Sequence, residues 1–99
     1  MTKNGLRMIM AINSIVDSGA TISLEQMEDL IERGDVIKFI KENFPYQSQL
    51  IVLDYDEEQK ICKSLKEYIN LFETSTARRK YAITNNAYLM LSSAIIEIY

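Results

Sequence analysis

From Tyr81 to Tyr99 the chain holds one charged side chain, Glu97. No other feature constrains the fold as strongly. Taken every third or fourth residue, Ala77, Tyr81, Thr84, Tyr88, Leu91, Ile95 and Ile98 form one seam of a helix expected from Ala77 to near the C-terminus. The opposite flank is also apolar, because Ala82, Ile83, Ala87, Leu89, Met90, Ala94 and Ile96 are spread around it. A helix that is apolar on most sides must be covered on most sides. Either it is the central helix of a bundle, or a second copy or another protein completes its cover. Three of the other expected helices are short, which favours the second solution. Tyr81, Tyr88, Leu91, Ile95, Ile98 and Tyr99 are then the expected interface anchors, since aromatic and long aliphatic side chains carry most interface energy.

Composition sets the frame. Ninety-nine residues fit one domain spanning 1–99. An apolar share of 47% with 25% charged is that of a globular chain and not of a disordered one. No eighteen apolar residues run together, so no spanning helix is expected. The apolar stretch near the N-terminus is broken by Arg7 and Asn13 and is followed by no small-x-small cleavage site, so it fails as a signal peptide. The single cysteine, Cys62, has no partner for an internal disulfide and suits a reducing compartment; the expected location is the cytoplasm, with no membrane contact. Cys62 itself is expected to pack as a small hydrophobe.

The chain has no histidine, which removes serine–histidine and cysteine–histidine nucleophiles and the usual zinc sites. Gly5, Gly19 and Gly34 stand far apart, so no glycine-rich loop cradles a phosphate. No catalytic residue, metal or cofactor is expected. A net charge of −3 is too small for a DNA mimic and argues against broad nucleic-acid affinity. Favoured isoleucine and a lone proline give the bias of an AT-rich genome such as that of a phage, virus or mobile element.

Along the chain, a first helix is expected over about residues 5–17, with Leu6, Ile9, Met10, Ile12, Ile15 and Val16 on one side and Gly19 ending it in the left-handed conformation. Ser23 and Gln26 form a capping box for a second helix, with Ile22 stapling onto Met27, and Gly34 stops it. Asp35 is placed to cap a short third helix through Val36, Ile37, Phe39 and Ile40, closed by Pro45. As a DNA-reading helix-turn-helix this pair fails, because Asp29 and Arg33 occupy places that should be apolar. Residues 49–55 fit a strand or a helix equally by periodicity. A lone strand lacks a partner within the chain except for residues 20–22, so irregular structure or helix is favoured unless a second subunit supplies the pairing. Asp56 and Gln59 suggest a capping box for the next helix, which carries Ile61, Leu65, Tyr68, Ile69 and Phe72. The sum is an all-α fold, a small bundle of four to five helices with room for one short strand pair.

Two charged features remain. Arg78, Arg79 and Lys80 fall in the expected first turn of the last helix, beside Thr74, Ser75 and Thr76. A helix N-terminus disfavours cations, and such a corner suits a phosphate or an acidic partner. A solvated cluster balanced by neighbouring acids explains it as well. The acids Asp54, Asp56, Glu57 and Glu58 resemble neither a magnesium site nor a calcium loop, since Gln59 stands where the turn glycine belongs, and capping accounts for them. The expected function is a non-enzymatic interaction module, a regulator, inhibitor or assembly factor whose last helix builds a homodimer or docks on a protein. The alternative is nucleic-acid or phosphorylated-ligand binding through Arg78, Arg79 and Lys80.

Overall fold

The computed structural model describes residues 2–72 and 86–99. Among them are five helices and no strand: α1 (Lys3–Asp17), α2 (Leu24–Arg33), α3 (Val36–Asn43), α4 (Tyr55–Phe72) and α5 (Ala87–Ile98). The all-α bundle expected from periodicity is what forms.

Local signals set most boundaries. The Thr2 hydroxyl accepts from the Gly5 N–H and starts α1, satisfying one of the donors every helix leaves open at its beginning. Gly19 follows at φ 88° and Gly34 closes α2 at φ 72°, a left-handed backbone that only a residue without Cβ adopts without strain. Ser23 Oγ accepts from the Gln26 N–H at 3.1 Å and Gln26 Oε1 accepts from the Ser23 N–H at 3.3 Å, so the expected capping box is present.

Two caps differ from expectation. Asp35 makes no side-chain cap to α3; its carboxylate instead lies 3.6 Å from Arg33, which also meets Asp29 at 3.1 Å. The acid that starts α4 is Asp54 and not Asp56. Asp54 Oδ1 accepts from the Glu57 N–H at 2.8 Å while Glu57 Oε1 faces the Asp54 N–H at 3.5 Å. The box therefore sits two residues earlier, and Asp56, Glu57 and Glu58 fill the first turn, where the helix dipole favours acids.

The face that α1 buries is also rotated from the expected one. Gly5, Met8, Ala11, Ile12 and Ile15 point inward, Ile9 and Val16 are partly covered, and Leu6 and Met10 are exposed. This inward face packs against another helix. That neighbour is α5. The Ala87 N–H donates to the Ile22 carbonyl at 2.8 Å, just past the end of α1, and Tyr99 at the far end feels Glu57, which accepts from Asn4 near the start of α1. Thus α5 runs back along α1, antiparallel to it. Helices α2, α3 and α4 close around this pair, tied by Lys41–Glu58 at 2.7 Å and Lys66–Glu32 at 3.4 Å.

Candidate functional site

The last helix begins later than its sequence suggests. Asn86 is extended, at φ −135° and ψ 94°, and its Oδ1 accepts from the Tyr88 N–H at 3.3 Å. A helix running unbroken from Ala77 is therefore excluded at Asn86. Tyr81 and the basic triplet Arg78, Arg79 and Lys80 lie outside the described residues.

Coverage of α5 is answered within one chain. Tyr88 is 2% exposed, and Leu91 and Ile95 are fully buried together with Ala87, Met90 and Ala94. The expectation that Tyr88, Leu91 and Ile95 form an outward seam is corrected: antiparallel α1 supplies the cover, with α2 and α4 contributing. Phe44, just past the end of α3, presses its edge on the Tyr88 ring at 5.9 Å between centroids and 85° between planes, an arrangement that the ring quadrupoles favour. Ile98 and Tyr99 are half-buried at the helix end. Only a narrow strip faces outward, with Leu89 and Ile96 two turns apart and Ser92 and Ser93 between them. Of the residues expected to meet a partner, Tyr88, Leu91 and Ile95 thus lie in the core.

Among the described residues an outward apolar surface lies elsewhere, in the connection between α3 and α4 and the first residue of α4. Tyr46 is 78% exposed, Val52 71%, Tyr55 73% and Leu50 51%. Pro45 ends any continuation of α3, and residues 45–50 are turns in which the Ser48 hydroxyl donates back to the Phe44 carbonyl at 2.7 Å. Ser48 and Ile51 anchor the segment inward, and residues 51–54 run without regular structure. Residues 44–53 contain no charge at all in a chain that is one quarter charged. That uncharged run is the sequence signal that marks this surface, and helical periodicity does not detect it because the segment is not helical. Elsewhere among the described residues the exposed large apolar side chains are Leu6 and Met10 on α1 and Leu89 and Ile96 on α5. Scattered side chains of this kind are ordinary on protein surfaces, whereas four large apolar side chains within ten residues are not.

Titratable groups add one property. Burial pushes the Cys62 thiol above its ordinary range, against backbone contacts from Val36 and Ile37 that pull the other way. A thiol held protonated is a poor nucleophile, since the thiolate is the reactive form. Its raised pKa also links to stability. The folded state keeps the proton that the unfolded chain gives up, so this contribution is complete below about pH 8.5 and is lost as pH rises through the folded value. Urea midpoints should therefore fall between neutral pH and mildly alkaline pH, and the fall should be smaller for Cys62→Ala. Equal slopes for the two proteins would remove Cys62 from the account.

Among the described residues no group of three or more histidine, cysteine, aspartate or glutamate side chains is placed to hold a metal ion, and no helix is long and apolar enough to cross a membrane. No known family model matches this sequence, and no curated protein or solved structure matches it.

Proposed function

We propose that this chain is a small non-enzymatic protein-interaction module, a regulator, inhibitor or assembly factor, that binds through the surface of Tyr46, Leu50, Val52 and Tyr55. The observation that carries this reading is the exposure of those four side chains within ten residues, three of them in the uncharged α3–α4 connection and Tyr55 at the first position of α4. Keeping such a cluster in water is unfavourable by roughly 25 cal/mol for each Å² of apolar area that a partner would cover. Two tyrosines add to it, because a rigid amphipathic ring fills a pocket at low entropic cost. The inert, protonated Cys62 thiol fits a binding role better than a catalytic one. A lone buried cysteine also suits a reducing compartment such as the cytoplasm.

Site-specific photocrosslinking tests the proposal. A photoreactive phenylalanine analogue replaces Tyr46 or Tyr55 in one set of proteins, and exposed Asn13 or Glu25 in a control set. Irradiation in the native cell should give discrete crosslinked species from positions 46 and 55 and none from 13 and 25. Absence of adducts at all four positions, or equal adducts at all four, would refute the assignment of this surface.

A further inference from the structure

Apart from the surface just described, we infer that the cleft between α2, α3 and α5 binds a small, flat, neutral molecule that offers a hydrogen-bond acceptor to the Tyr88 hydroxyl. One wall is a single face of α2, where Gln26, Asp29, Leu30 and Arg33 recur at three- and four-residue steps. Ile22 enters from the α1–α2 connection, Phe39 from α3 and Tyr88 from α5. The cleft measures about 390 Å³, within the roughly 300–1,000 Å³ usual for small-molecule sites. Ile22, Leu30, Phe39 and Tyr88 give it a mainly apolar lining with few polar groups, the composition such sites use.

Tyr88 supplies the observation that points to a ligand. The residue is 2% exposed, and its hydroxyl makes no hydrogen bond among the described residues. The oxygen is not sealed in, so the small surface that Tyr88 retains opens on the cleft it lines. A hydroxyl withdrawn from water without a partner is unfavourable, and a ligand that pairs with it removes that cost. Phe44 packs edge-on against the ring and holds it in place before any ligand arrives.

The same residues select the ligand's chemistry. Burial pushes the Tyr88 phenol above its ordinary range, so it keeps its proton and serves as a donor. Gln26 Oε1 already accepts from the Ser23 N–H and hydroxyl, which leaves the donors of its amide for a ligand. Both groups call for an acceptor such as a carbonyl oxygen. Charge on the ligand is disfavoured in either sign. Arg33 stands 3.1 Å from Asp29 and 3.6 Å from Asp35, so an anion meets two carboxylates and a cation competes with the guanidinium.

Nuclear magnetic resonance titration of the full chain with three related probes tests the inference. They are 1-indanone, which carries the carbonyl, indane, which lacks it, and indane-2-carboxylate, which is an anion. 1-Indanone should give saturable shifts at Ile22, Leu30, Phe39 and Tyr88, in the millimolar range expected of so small a molecule. Indane should bind the wild type at least about fivefold more weakly, the worth of one hydrogen bond, and the carboxylate more weakly still. Tyr88→Phe removes only the hydroxyl and should bind 1-indanone and indane alike. The comparison of probes on the wild type stands even if that variant is unstable. Absence of saturable shifts at these four residues would overturn the site. Equal affinity of the wild type for 1-indanone and indane, or tighter binding of the carboxylate, would overturn the ligand chemistry assigned to it.

Discussion

Replacing Leu91 and Ile95 together by aspartate should leave no folded protein at room temperature. Both side chains are completely buried on the face of α5 that meets the rest of the bundle. Each substitution removes a large aliphatic group and puts a carboxylate where the neighbours are apolar, at a cost of several kcal/mol per ion after relaxation. A domain of this size holds only about 5–15 kcal/mol in total, so two such losses exceed or exhaust it. Far-ultraviolet circular dichroism and amide dispersion should both report an unfolded chain. Leu91→Ala is the graded form of the experiment, with an expected loss of about 3–5 kcal/mol. A soluble, folded, monomeric double aspartate variant would instead mean that this seam faces outward and is the interface.

The second large effect belongs to Tyr88. Truncation to alanine removes the ring that Phe44 caps edge-on and that Ile22, Leu30 and Phe39 approach along the neighbouring groove. The expected cost is about 3–5 kcal/mol, read as a lower urea midpoint at unchanged slope. Tyr88→Phe keeps the ring and should retain most of that stability. Phe44→Leu combined with Tyr88→Leu in a double-mutant cycle should give a coupling of about 0.5–1.5 kcal/mol, the part owed to ring geometry beyond burial. Additive losses would show that the two rings merely fill space.

The features that were legible in the sequence are those fixed by a few adjacent residues. Ser23 with Gln26, Gly19 and Gly34 each settle a helix end through their own backbone and side-chain chemistry, and all three are found as expected. Where local signals compete, the sequence alone does not choose between them. Asp54 and Asp56 are both good N-caps, and the backbone alone decides that Asp54 takes the role. Asn86 is another strong N-cap residue, and it is the signal that starts α5.

Tertiary quantities were not legible. On α1 two apolar stripes coexist, one through Leu6 and Met10 and one through Met8, Ile12 and Ile15, and period alone does not choose between them. The choice is made by the packing of α1 against antiparallel α5. Cover on Tyr88, Leu91 and Ile95 depends on that same pairing, which is why an apolar helix read in isolation looks like an interface. The outward surface at Tyr46, Leu50, Val52 and Tyr55 escapes a search for helical stripes because most of it is built on turns and an irregular segment.

Hydroxyl-radical footprinting of the wild-type tyrosines, repeated at low and high protein concentration, tests most directly the claim that α5 is core and that the α3–α4 connection is the working surface. Tyr88 should be protected at every concentration. Tyr46 and Tyr55 should be strongly modified. Modification of Tyr88 at rates like those of Tyr46 would contradict the account.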